Sequence, residues 1–122
     1  MARDHENMSD SFEVTPKQAH ALLTNRPSAE SKAVLIDVRE PQEFALSRID
    51  NSLLIPMQSV PAELQKLEAL ADEKDLLILC HRGVRSLQVT AWLRARGLEN
   101  CYSIAGGIDR WSREIDTTIP TY

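Results

Sequence analysis

Short apolar runs alternate with longer amphipathic stretches along this chain. The predicted strands are Phe12–Val14, Ala33–Ile36, Ser52–Pro56, Leu76–Leu79 and Tyr102–Ile104. The runs Ala33–Ile36 and Leu76–Leu79 are continuously apolar, which is typical of strands that are covered on both faces. The pattern therefore predicts central strands with layers packed above and below them.

The intervening stretches predict helices. They are expected to begin at Thr15-Pro16, Glu40-Pro41, Ser59, Ser86 and Gly106-Gly107. In the third helix Leu64, Leu67 and Ala71 lie at helical spacing and supply a buried side. The segment Ser86–Arg96 carries apolar residues on several sides, so we expect this helix to be well buried. Gly97 is its predicted C-cap.

Strands that alternate with helices predict an α/β fold, with a central, mainly parallel sheet and helices on both faces. The 122 residues are expected to form a single domain over residues 11–122, preceded by a flexible segment at residues 1–10. Residues 117–122 are interpreted as a tail. In parallel sheets, ligands bind beyond the carboxyl ends of the strands. Cys80 follows directly after a predicted strand and so lies at such an end.

Composition narrows the functional classes. The net charge of −4 argues against a general nucleic-acid binder, since there is no excess of basic residues to neutralise phosphates. No apolar run is long enough to predict a membrane span. The two cysteines, Cys80 and Cys101, lack the spacing of a redox pair or a zinc site. These features predict a cytoplasmic protein with reduced thiols and without a metal or other cofactor. A monomer is expected, because no heptad repeat or large apolar patch compels an oligomer.

The residues after Cys80 predict a reactive thiol. A glycine-containing basic loop and a following helix N-terminus favour a thiolate, and backbone N–H groups could form an anion cradle that also holds a persulfide. Cys80 is therefore the predicted nucleophile. The predicted substrate-binding residues are His81, Arg82, Gly83, Val84 and Arg85. Arg85 is the candidate to hold an anionic donor or to stabilise the thiolate, and the two arginines indicate a small anionic substrate.

Each of these interpretations has a structural alternative. A cysteine in an apolar run is often simply a core residue, but packing alone does not explain the basic loop that follows Cys80. Cys101 has no such loop and is interpreted as structural. Asp37 and Arg39 follow a neighbouring strand and are expected to support the cysteine loop through an ion pair, the alternative being a solvated arginine.

Three motifs resemble those of the rhodanese-type sulfurtransferases. Cys80–Arg85 is similar to the active-site loop, Leu35–Phe44 to the upstream signature and Ala105–Trp111 to the closing motif. They occur in the family's order, and the resemblance extends from about Phe12 to Trp111. It implies a single-domain, rhodanese-like fold that needs no metal.

The resemblance also implies a reaction. Cys80 would take a sulfane sulfur from a thiosulfate-like donor and pass it, as a persulfide, to a thiophilic acceptor such as cyanide or a protein thiol. One alternative is a persulfide carrier that hands sulfur to one partner enzyme. A lesser alternative is a cysteine-dependent phosphatase or arsenate reductase. Four residues separate Cys80 from Arg85, however, and Ser86 stands where a phosphatase would have its arginine.

One stretch departs from the family pattern. The family carries a Gly-His pair followed by Ile-Pro-Gly-Ala after the upstream helix. This chain has Ser47-Arg48-Ile49-Asp50-Asn51-Ser52, in which only Ile49 clearly survives. The geometry of this turn is therefore expected to differ from that of the family.

Overall fold

The computed structural model describes residues 11–24 and 32–122. The chain runs through β1 (Glu13–Val14), α1 (Pro16–Thr24), β2 (Ala33–Asp37), α2 (Pro41–Leu46), β3 (Leu53–Leu54), α3 (Leu64–Ala71), β4 (Asp75–Leu79), α4 (Val84–Arg94), β5 (Cys101–Ile104) and α5 (Gly107–Glu114). Two short 3-10 turns, Met57–Ser59 and Pro61–Glu63, precede α3. The predicted alternation of strands and helices is confirmed, whereas the flexible segment predicted at residues 1–10 lies outside the described residues.

The strands of the described chain form one parallel sheet in the order β1-β5-β4-β2-β3. The predicted α/β class with a central parallel sheet is therefore confirmed. β3, which follows β2, lies on one side of the central β2–β4 pair, whereas β5, which follows β4, lies on the other. The carboxyl ends of β2 and β4 thus flank a topological switch point, which is where open α/β sheets bind ligands. Cys80 follows β4 at this point.

Helices cover both faces of the sheet. Side chains alternate along β4, so that Leu77 and Leu79 pack in a cluster with Trp111 of α5, whereas Leu76 and Ile78 pack in a second cluster on the opposite face. The second cluster contains residues of α3 and α4 and also Cys80. The continuous apolar runs were correctly interpreted as strands covered on both sides.

The helix after the cysteine differs from its prediction. α4 begins at Val84, two residues before the expected start, and it is not buried all round. Its buried positions are Ser86, Val89, Thr90 and Leu93. Leu87 remains 37% exposed, so the expectation of a well-buried helix was wrong. Two hydroxyl side chains occupy the face toward the sheet, and hydropathy alone does not assign them there.

The end of α4 follows the prediction. Gly97 has a φ of 95°, which a side chain would oppose. Its N–H donates to the Arg94 carbonyl at 3.0 Å, and the Leu98 N–H donates to the Leu93 carbonyl at 3.1 Å. These two bonds form a Schellman motif, so the C-cap role of Gly97 is confirmed. In the part of the chain that the structure describes, no helix combines the length and the hydropathy needed to cross a bilayer.

Candidate active site

Cys80 lies at the base of a short loop between β4 and α4, with 1% of its surface exposed. The Gly83 N–H donates to its sulfur at 3.1 Å. The Ser86 Oγ lies 3.3 Å from the same sulfur. A thiol would donate to this hydroxyl, whereas a thiolate or persulfide would accept from it. The loop thus directs a backbone donor and a hydroxyl at the cysteine sulfur.

Glycines allow this loop to pack closely on the start of α5. Gly83 has a φ of 100°, and Gly107 has a φ of 61°. A Cβ at Gly107 would stand 2.4 Å from the His81 carbonyl oxygen, so a side chain does not fit there. The N–H groups of Ile108 and Asp109 donate to the carbonyls of Cys80 and His81 at 2.9 and 3.0 Å. The closing glycine motif therefore holds the carbonyl side of the cysteine loop.

A buried hydroxyl pair extends the contacts of Cys80 into the sheet. The Ser86 and Ser103 Oγ atoms lie 2.7 Å apart, and both residues are fully buried. Ser103 belongs to β5, so the chain of contacts runs from Cys80 through α4 to the neighbouring strand. Ser86 was noted in the sequence only as a helix start and as the position of a phosphatase arginine, and neither serine was predicted to belong to the site. The sequence offered one indication for each serine. Ser86 has the helical spacing of the buried positions of α4, and Ser103 lies inside a predicted strand.

Arg85 is held by a carboxylate from a distant helix. Its two terminal nitrogens donate to the Glu43 oxygens at 2.7 and 2.9 Å. This hydrogen bonding lowers the pKa of Glu43 to about 2, although partial burial opposes the shift. It also raises the pKa of Arg85. Arg85 is therefore a permanent positive charge with a fixed orientation, and the Cys80 charge lies within its electrostatic reach.

Asp37 and Arg39 form the ion pair that the sequence suggested. The Arg39 Nη2 lies 2.8 Å from an Asp37 oxygen, and both side chains are completely buried. Arg39 also donates to the Glu43 and Ser47 carbonyls and to the Tyr122 hydroxyl. This network lies at the end of β2, beside the cysteine loop of β4, and it ties α2 to the sheet. A solvated Arg39 is thereby ruled out.

The other predicted residues face different surroundings. Arg82 and Val84 are exposed, Gly83 is buried and His81 is half-buried. The His81 ring stacks on Tyr122 with ring centres 4.0 Å apart. Tyr122 was assigned only to a tail, and its place at the site was not foreseen. Nothing local in the sequence pairs a tyrosine with a histidine 41 positions away.

Cys101 occupies an apolar site at the other end of the sheet. It begins β5 and is completely buried. Burial raises the pKa of its thiol to about 12, and the nearby positive charge of Arg94 opposes that shift only partly. This environment disfavours a thiolate, in agreement with the structural interpretation of Cys101.

The turn that departs from the family pattern is closed by its own residues. The N–H and hydroxyl of Ser52 both donate to the Ile49 carbonyl, at 3.3 and 2.7 Å. Asn51 adopts a φ of 68°, a conformation that asparagine tolerates better than most residues. Ser47 stands where the family pattern has glycine, and its hydroxyl donates to the Pro120 carbonyl at 2.7 Å. The substituted turn thus contacts the segment around Pro120.

The fold and the cysteine loop define a rhodanese-like domain. A family model described as "Rhodanese-like domain" matches residues 15–114. The chain therefore belongs to the rhodanese-like family.

Individual relatives agree with this assignment. The chain is 33% identical over 110 residues to thiosulfate sulfurtransferase GlpE of Haemophilus influenzae, covering 87% of this chain and 95% of that protein. It is 33% identical over 111 residues to the chloroplastic rhodanese-like/PpiC domain-containing protein 12 of Arabidopsis thaliana. That match covers 90% of this chain but spans only 37% of the plant protein. The human single-domain sulfurtransferase TSTD1 superposes with a TM-score of 0.70 at 27% identity, covering 85% of this chain and 97% of that structure.

Proposed function

We propose that this protein is a sulfurtransferase that moves a sulfane sulfur from a thiosulfate-like donor to a thiophilic acceptor through a persulfide on Cys80. The observation that carries the proposal is the position of the Cys80 sulfur, beyond the carboxyl end of β4 and within hydrogen-bond distance of Gly83 N and Ser86 Oγ. Those two donors suit an anionic sulfur, and the relationship to GlpE supports thiosulfate as the donor.

The reaction consists of two displacements. The Cys80 thiolate attacks the outer sulfur of thiosulfate; the S–S bond of the donor breaks, and sulfite leaves with its electron pair. The acceptor, for example cyanide, then attacks the outer sulfur of the persulfide, which forms thiocyanate and returns the Cys80 thiolate. No external oxidant or reductant is needed, and ping-pong kinetics are expected.

The residues of the loop have different roles in the proposed reaction. Gly83 N–H and the Ser86 hydroxyl stabilise the negative charge, first on the thiolate and then on the persulfide. Because Arg85 is paired with Glu43, it acts as an oriented charge beside the loop rather than as a free ligand for the donor. The exposed Arg82 guides the anionic donor, and His81 and Val84 border the approach to the sulfur.

The experiment is a two-step assay with matched cysteine variants. Incubation with thiosulfate is expected to make the protein one sulfur atom heavier by intact-mass spectrometry, and addition of cyanide should release thiocyanate and restore the original mass. Cys101→Ser should behave like the wild type, whereas Cys80→Ser should neither gain sulfur nor release thiocyanate. Sulfur loading in folded Cys80→Ser would refute the proposal. Hydrolysis of an aryl phosphate instead of sulfur transfer would favour the phosphatase alternative.

A persulfide carrier is the second candidate, and one observation favours it. Val84 and Leu87, in the first turn of α4 after the loop, are 68% and 37% exposed. These two exposed apolar residues, near the start of α4, suit contact with an acceptor protein. Transfer from loaded Cys80 to a cysteine-containing peptide much faster than to a small thiol would favour the carrier.

Four further expectations stay predictions: the cytoplasmic location, the monomeric state, the single domain over residues 11–122 and the lack of a cofactor.

A further inference from the structure

Residues 115–122, here called the strap, follow α5 and return to the active site. Ile119 is buried among the residues that line the α1 and α5 face of the sheet. Its carbonyl accepts from the Ser112 hydroxyl at 2.6 Å. The Pro120 carbonyl accepts from the Ser47 hydroxyl at 2.7 Å. The strap is therefore attached to α5 through Ser112 and to the turn after α2 through Ser47 before it reaches Tyr122.

Ser47 supplies the side chain of this anchor, since its hydroxyl is the donor to the Pro120 carbonyl. The same residue contributes its carbonyl to the buried Arg39 guanidinium. Ser47 therefore attaches the strap next to the Asp37–Arg39 pair.

Tyr122 contacts the cysteine loop through its ring and main chain. The ring is stacked on His81 at a centroid distance of 4.0 Å and an interplanar angle of 9°. The His81 Nε2 lies 2.9 Å from the Tyr122 main-chain oxygen. Because this main-chain oxygen accepts, Nε2 is the donor in this contact. Two contacts thus restrain the side chain that immediately follows Cys80.

The Tyr122 hydroxyl reaches the charged groups behind the loop. It accepts from Arg39 Nη1 at 2.9 Å and donates to Glu43 Oε2 at 2.8 Å. Glu43 uses both of its oxygens to hold Arg85. One tyrosine therefore touches His81 on one side and, on the other, the carboxylate that orients the arginine of the loop.

We propose that Tyr122 is a specificity-determining residue: its ring, docked on His81 by the strap, forms a rigid wall of the entrance to Cys80 that discriminates acceptors by size. The inference rests on the proposed function. Tyr122 is 38% exposed, so part of its surface is available to an incoming molecule. Cyanide is small enough to pass the wall, whereas a bulky thiol must contact it.

The test compares two acceptors on protein whose Cys80 has already been loaded with sulfur. The measured quantity is the rate of sulfur transfer to glutathione divided by the rate of transfer to cyanide. In Tyr122→Ala this ratio should rise about tenfold, which is at the low end of what pocket size contributes to selectivity. Tyr122→Phe keeps the ring and should restore the wild-type ratio. Thr121→Ala, an exposed neighbour in the strap, serves as the matched control.

A second readout separates this inference from the proposed function. Alkylation of Cys80 by iodoacetamide and by a bulky maleimide is compared in a Cys101→Ser background, which requires no sulfur transfer. If wild-type protein fails to load sulfur, the proposed function fails, but the ratio of the two alkylation rates still reports the wall. A higher maleimide-to-iodoacetamide ratio in Tyr122→Ala supports the inference. An unchanged ratio, or an equal rise in Thr121→Ala or Tyr122→Phe, overturns it.

Discussion

Cys80 and Cys101 are equally buried but lie in opposite chemical environments. Both belong to the same apolar cluster, with 1% and 0% of their surfaces exposed. Cys101 stands at the amino end of β5, where its register partner is Leu76 near the start of β4. Cys80 follows the carboxyl end of β4. The two thiols are therefore at opposite ends of neighbouring parallel strands.

The difference lies in the donors that each strand end presents. Beyond β4 the chain turns into α4, and the N–H of Gly83 is directed at the Cys80 sulfur. At Cys101 the nearby guanidinium of Arg94 donates to the main-chain oxygen, not to the sulfur. Burial without strong donors raises the pKa of Cys101 to about 12. Burial alone therefore does not distinguish the two thiols; the hydrogen-bond donors aimed at the sulfur do.

The largest expected contrast is in alkylation. With a pKa of about 12, Cys101 is a thiolate in only about one molecule in 10⁴ near pH 8. Iodoacetamide should therefore label Cys80 in the folded protein at least about tenfold faster than Cys101. Peptide mass spectrometry after a time course measures both rates. In Cys80→Ser, labelling of Cys101 should await denaturation, and comparable rates in native protein would contradict the comparison.

A smaller contrast concerns two hydroxyls on the same face of α4. The Ser86 Oγ lies 3.3 Å from the sulfur of Cys80, whereas the buried Thr90 hydroxyl, one turn further along, has no hydrogen-bond partner among the described residues. Ser86→Ala should lower kcat/KM for thiosulfate about tenfold, the loss expected for one hydrogen bond to a charged group. Thr90→Val should leave kcat/KM within about twofold of the wild type. Equal losses of activity in two variants of similar stability would show that α4 packing, not the hydroxyl at Cys80, is responsible.

The smallest effect concerns the charge held beside Cys80. The Glu43 pKa of about 2 lies below its ordinary 4.5, so the ion pair with Arg85 contributes full stability above pH 4.5 and loses it as pH falls toward 2. Glu43→Gln should cost about 1 kcal/mol of unfolding free energy near pH 7. It should also flatten the decline in stability below pH 4.5.

Urea unfolding from neutral pH to about pH 3 measures this change. Glu68→Gln is the matched control, because Glu68 is exposed on α3 away from the site. Its stability curve should run parallel to that of the wild type. A Glu43→Gln curve that also runs parallel would mean that the Glu43–Arg85 pair contributes no pH-dependent stability.

Much of the fold was predictable because its cues are local. The apolar runs Ala33–Ile36 and Leu76–Leu79 are contiguous and are central strands in the structure. The capping role of Gly97 was predictable because glycine readily adopts the positive φ that this position requires. The error over α4 has a physical cause: hydropathy ranked Leu87 above Ser86, but the hydroxyl of Ser86 has buried partners in Cys80 and Ser103. A polar side chain that is hydrogen-bonded can occupy the buried face.

By itself, the sequence determined the alternating α/β architecture and the short loop that places Cys80 between a buried strand and a helix N-terminus. These depend on contiguous apolar runs and on the helical period of 3.6 residues. Only the tertiary structure decided which partners meet at that loop. Glu43 reaches Arg85 across 42 positions, and Tyr122 reaches His81 across 41. Parallel pairing gathers distant strand ends at one edge of the sheet, and no local pattern encodes which side chains will meet there.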